Sequence, residues 1–128
     1  FHCFGEGPLK NKINDKNITF HGWCNPKIIY KKTDLILITS KINNFPYVAL
    51  EAKTAGIPVI STSKGDIKKI IFNNSDGFLI NKFDLNIIKK KILYIMKNYN
   101  QFSRNAKKNS KVFDENTSLN KIWKFIFK

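Results

Sequence analysis

Residues 40–62 read SKINNFPYVALEAKTAGIPVIST, and their punctuation describes a helix held between two strands. Pro46 is placed to open the helix, which continues through Val48, Ala49, Leu50 and Ala52. Gly56 suits the left-handed residue that ends it, and Pro58 forbids continuation. Before the helix, Leu35 to Thr39 is a near-continuous apolar run, suited to a strand buried on both faces. After it, Val59 and Ile60 begin the next strand. A strand, a crossover helix and a second strand of this kind imply a parallel sheet.

The same alternation extends outward. Phe1 to Phe4 reads as a strand that breaks at Gly5-Glu6-Gly7-Pro8, followed by a short helix through Leu9 and Ile13. Ile18-Thr19-Phe20 is a second strand ending at His21-Gly22-Trp23, and Asn25 caps a helix with Pro26 at its first position, running to about Lys32. Gly65 and Asp66 precede a short helix through Ile67, Ile70 and Ile71, and Asp76-Gly77 turns into a strand over Phe78-Leu79-Ile80. Asp84 caps a helix with apolar positions Leu85, Ile88, Ile92 and Ile95; residues 101–113 predict another. A last amphipathic helix is expected on Leu119, Ile122, Trp123, Ile126 and Phe127, with part of its apolar stripe exposed. The expected fold is α/β: a parallel-sheet, Rossmann-like domain with helices on both faces. It spans residues 1–112, and residues 113–128 form a helical extension.

The net charge is +14, and all but one of the 23 basic residues are lysine. Such an excess either solvates a surface or serves phosphate ligands, an anionic membrane or nucleic acid. Arginine is the usual reader of phosphates and base edges, and Arg104 stands alone, which argues against nucleic acid. Cys3 and Cys24 have no metal or redox spacing, so Cys3 is expected in the core and no metal site is expected. No apolar run is long enough for a membrane-spanning helix. Two isolated thiols and the lack of a signal-peptide pattern make the cytoplasm the expected location, with a peripheral place at the inner face of the membrane as an alternative. The chain starts at Phe1, inside an apolar run, so a piece of a longer protein is expected.

A helix that follows a strand in a parallel sheet aims its first amides into the crevice at the strand's carboxyl end, where an anion is favoured. Here that junction is Asn43-Asn44-Phe45-Pro46-Tyr47-Val48, with Glu51 one turn later. On the residues alone, Glu51 is either a solvated helix side chain or a carboxylate placed to hold two vicinal hydroxyls.

NNFPYVALEAKTAGIPVIS resembles the donor-binding segment of family 4 retaining glycosyltransferases, which have the two-domain GT-B architecture. FGEGPLK, ITFHGW, YKKTDLILITS, GFLINKFDLNII and VFDENTSLNKIWKFI resemble further segments of that family in the right order. The resemblance implies a C-terminal donor-binding domain that lacks its first strand-helix unit and the acceptor-binding N-terminal domain. It implies hexosyl transfer from a nucleoside-diphosphate sugar to a glycan or lipid-linked acceptor, with this stretch inactive by itself and no cofactor beyond the donor substrate. Front-face displacement, the scheme attributed to such enzymes, uses the leaving phosphate to assist the incoming hydroxyl and needs no paired carboxylates.

By the same resemblance, Glu51 accepts hydrogen bonds from ribose hydroxyls. The backbone around Phe45, Pro46, Tyr47 and Val48 faces the sugar and the distal phosphate, and Asn43 and Asn44 belong to that loop. Gly22 and Trp23 match the loop beside the base, where Trp23 either stacks on the base or is a core tryptophan. Lys10 either reaches the phosphates or is one more solvated lysine. The family's first acidic residue would fall at the position of Asn43, which supplies no negative charge. That departure keeps a non-catalytic, scaffold-like homologue open, alongside a basic nucleic-acid-binding module.

Overall fold

The structure, a computed structural model, describes residues 1–40 and 46–113. They fall into two compact units, one over Phe1–Thr33 and one from Asp34 onward. In the first unit, β1 (His2–Cys3) pairs in parallel with β2 (Thr19–Phe20), and α1 (Pro26–Lys31) follows. Asn25 caps α1 as its sequence suggested, accepting from the Lys27 amide at 2.9 Å. The helix expected through Leu9 and Ile13 is a single 3-10 turn, Lys10–Lys12. Cys3 is only partly buried, a correction to its expected place in the core, because a two-stranded sheet buries little.

The second unit holds a parallel sheet in the order β3 (Ile36–Ile38), β4 (Val59–Thr62), β5 (Gly77–Ile80). Its registers place Ile36 opposite Val59, and Val59 opposite Gly77. Crossovers are made by α2 (Tyr47–Thr54) and α3 (Ile67–Ile70); α4 (Leu85–Lys97) and α5 (Tyr99–Ser110) close the described chain. Central β4 is deeply buried through Val59, Ile60 and Ser61. In contrast, β3 is shorter than the apolar run and leaves Leu37 exposed, so the expectation of a strand buried on both faces fails. Among the described residues β3 pairs with β4 alone, which makes it an edge.

Ile60, Phe78 and Ile80 form the core with Ile88 and Ile95 of α4 and Phe102 of α5. Asp84 caps α4, accepting from the Asn86 and Ile87 amides at 2.8 and 3.1 Å. Helix α2 ends in a Schellman motif: Gly56 takes φ +77°, its amide bonds to the Lys53 carbonyl, and the Ile57 amide bonds to that of Ala52. The final helix expected from Leu119 to Phe127 lies outside the described residues.

Candidate functional site

In the second unit the strands end side by side at the carboxyl edge of the sheet, where parallel sheets take their ligands. Two hydrogen bonds bind these ends together. Thr62 Oγ1, at the end of β4, donates to the Ser40 carbonyl after β3 at 2.7 Å. Ser63 Oγ donates to Asn81 Oδ1 after β5 at 2.6 Å. A crossover helix between parallel strands starts on the carboxyl side of the sheet, and in α2 Pro46 takes the N-cap position there without a side-chain hydrogen bond to the first turn. The positive end of the helix dipole therefore lies on that side of the sheet.

The sequence decides which way α2 faces. Ala49, Ala52 and Lys53, at positions i, i+3 and i+4, are fully buried, whereas Tyr47, Val48 and Glu51 are exposed. Tyr47 and Glu51 are one turn apart on the same side, so α2 presents a phenol and a carboxylate together next to its amino end. This is the described part of the expected site, and the structure brings Tyr47, Val48 and Glu51 onto one surface.

What holds α2 in that rotation was not foreseen. Lys53 Nζ pairs with Asp76 Oδ2 at 2.9 Å, with both side chains excluded from solvent. The ammonium also donates to the Ile70 carbonyl and lies 4.5 Å from the Phe72 ring centroid. Asp76 accepts from the Phe72 amide at 2.9 Å and from Asn109 Nδ2 at 2.8 Å. One buried ion pair thereby ties α2 to the end of α3, the β4–β5 connection and α5. Burial pushes the Lys53 ammonium below the ordinary lysine range, and the hydrogen bond and charge of Asp76 offset part of that shift. Lysines are seldom fully buried, so composition alone does not single out Lys53. Its place in the Ala49, Ala52 stripe was the available signal.

The first unit carries Lys10, Gly22 and Trp23. Gly22 has φ +65° and its carbonyl accepts from the Gly5 amide at 2.6 Å. A Cβ at Gly22 would lie 2.8 Å from Glu6 Oε1, and Lys10 Nζ bonds that same oxygen at 3.2 Å. Lys10, Glu6 and Gly22 thus gather in the two loops at the carboxyl ends of β1 and β2; Glu6 was not singled out from sequence. Trp23 is 86% exposed, which removes its reading as a core tryptophan. Beside them, His2 Nδ1 and His21 Nε2 share a hydrogen bond of 2.8 Å, and His21 stacks on Phe4.

Asn43, Asn44 and Phe45 lie outside the described residues. Among the described residues no three His, Cys, Asp or Glu side chains gather as a metal-binding group, and no helix is long and apolar enough to cross a membrane.

Residues 7–112 match the family model described as glycosyl transferases group 1. An uncharacterized 41.2 kDa protein in the cps region of Klebsiella pneumoniae is 30% identical over 100 residues, which is 76% of this chain and 27% of that protein. The crystal structure of TarM superposes with a TM-score of 0.80 at 23% identity, covering all of this chain and 28% of that one. Anabaena HepE, solved in complex with UDP and glucose, gives a TM-score of 0.75 at 21% identity, covering 88% of this chain and 32% of HepE. The chain thus spans between a quarter and a third of each of these proteins.

Proposed function

Because this chain belongs to the glycosyl transferases group 1 family, we propose that it is the donor-binding part of a retaining, family 4-type hexosyltransferase. The donor is a nucleoside-diphosphate sugar. The acceptor, a glycan or a lipid-linked molecule, is bound by an N-terminal domain beyond these residues, in the cytoplasm or at the inner face of a membrane. The observation that supports this most strongly is the exposed face shared by Tyr47 and Glu51 at the amino end of α2, beside the carboxyl edge of the sheet. HepE, of the same fold, was crystallised with UDP and glucose.

In this reading the first turn of α2 offers amides and a positive dipole to the phosphate next to the transferred sugar. The Glu51 carboxylate accepts from the two vicinal ribose hydroxyls, a charge-assisted arrangement that also fixes the nucleoside's orientation. The family resemblance assigns Asn43, Asn44, Phe45 and Pro46 to the sugar. Lys10, Gly22 and Trp23 belong to the base and phosphate side, with Trp23 offering an exposed ring for stacking. Rate enhancement comes from positioning the donor and stabilising the departing diphosphate.

Calorimetric titration with UDP tests this. Glu51→Ala should weaken binding about 10- to 100-fold, the worth of hydrogen bonds to a charged group. Unchanged affinity would overturn the assigned role. Asn43 favours a second reading, a non-catalytic scaffold, since it removes a negative charge expected beside the sugar. Turnover of any sugar nucleotide by the enzyme carrying this chain excludes the scaffold reading.

A further inference from the structure

Helix α4 has an outward face that its packing role does not explain. Ile88 and Ile95 are buried in the core, and the opposite side of the helix carries Ile87, Lys90, Leu93, Tyr94 and Lys97. Ile87 is 41% and Leu93 60% exposed, and Tyr94, whose ring packs edge-on against Phe78 and Phe102 at centroid distances of 5.9 and 6.0 Å, still leaves 55% of its surface open. A solvated helix face has no use for an exposed isoleucine and leucine set among lysines. Alongside runs a concavity of about 570 Å³ lined by Asn74, Phe78, Ile87, Lys90, Lys91 and Tyr94. In it the Lys91 ammonium lies 4.0 Å from the Phe78 ring centroid, directly over β5.

The charge is one-sided. Between Asp84 and Asp114 the sequence has eight lysine or arginine residues and no aspartate or glutamate. Asp84 itself is engaged by the amides it caps, and among the described residues no α4 lysine pairs with a carboxylate. The partner for such a face must be anionic and must also receive aliphatic and phenolic side chains. Nucleic acid satisfies the first condition only: an isoleucine and a leucine gain nothing from a phosphate backbone, and α4 has no arginine. The surface of an anionic bilayer satisfies both. Lysines meet the headgroup phosphates, Ile87 and Leu93 enter the acyl boundary, and Tyr94 takes the interfacial level that suits an amphipathic ring.

We propose that the Ile87, Lys90, Leu93, Tyr94, Lys97 face of α4 docks on an anionic membrane, with α4 lying in the plane of the interface. This gives a place to the membrane contact in the functional reading above, but does not depend on donor binding.

The test is flotation of the intact protein with vesicles of phosphatidylcholine alone or with about 30 mol% phosphatidylglycerol. Binding should require the anionic lipid. Lys90→Gln/Lys97→Gln should lower partitioning at least about tenfold, as should Ile87→Ser/Leu93→Ser. All four side chains are exposed, so circular dichroism should show the fold retained, and UDP affinity should not change. Three results would overturn the proposal: no preference for anionic vesicles, wild-type partitioning by the Ile87→Ser/Leu93→Ser variant, or equal affinity for duplex DNA unaffected by that variant. Loss of UDP binding in Glu51→Ala would leave all of these outcomes as they are.

Discussion

Lys53 Nζ lies 2.9 Å from Asp76 Oδ2, and neither side chain reaches solvent. Lys53 belongs to α2 and Asp76, 23 positions later in sequence, to the turn before β5, and their pairing sets the rotation of α2. Glu51 precedes Lys53 by two residues, so it projects from nearly the opposite side of the helix. The buried charge and the exposed carboxylate are two ends of one arrangement.

Breaking this pair from one side leaves a buried carboxylate without its cation. Lys53→Met should therefore destabilise the protein by about 3–5 kcal/mol. Lys53→Met/Asp76→Asn, which removes both charges and keeps an acceptor for the Phe72 amide, should recover most of that loss. Urea unfolding of the two variants measures the difference; equal destabilisation would show that the charges are not coupled.

The depressed ammonium gives stability a definite pH slope. In the interval between the lowered folded value and about 10.4, the unfolded chain holds a proton that the folded chain has released. Stability then rises with pH. The stability of the wild type minus that of the Lys53→Met/Asp76→Asn variant should increase from neutral pH toward that limit. Tyr99, raised by burial and by Asp34, titrates in both proteins and cancels. A flat or falling difference would contradict the assignment.

Gly77 is required by sheet packing rather than by backbone freedom. A Cβ there would lie 2.0 Å from the Val59 carbonyl oxygen, a backbone atom of the central strand. Gly77→Ala should cost at least about 3 kcal/mol, because β4 and β5 must separate to admit a methyl group. Thermal unfolding reads this as a large drop in Tm, and a change within error would mean that β5 does not pair as described.

The local features of the fold were legible in sequence. Asn25 before Pro26, Asp84 before its apolar helix and Gly56 before Pro58 each act through bonds spanning a few residues, so the capping chemistry was visible in the string. Long-range features were not. The exposure of Leu37 depends on which strands lie beside β3, and the burial of Lys53 depends on Asp76 and Asn109 arriving from later elements. In the candidate site, the shared face of Tyr47 and Glu51 follows from helical spacing. The contact of Glu6 with Lys10 and Gly22 required the Gly5 to Gly22 bridge to be seen.

Amide chemical-shift mapping with UDP reads the nucleotide's position on the protein residue by residue. The largest changes should fall on the backbone of Tyr47, Val48 and their neighbours at the amino end of α2, and Glu51→Ala should suppress them. Shifts confined to other elements, or an undisturbed spectrum at millimolar nucleotide, would contradict that placement.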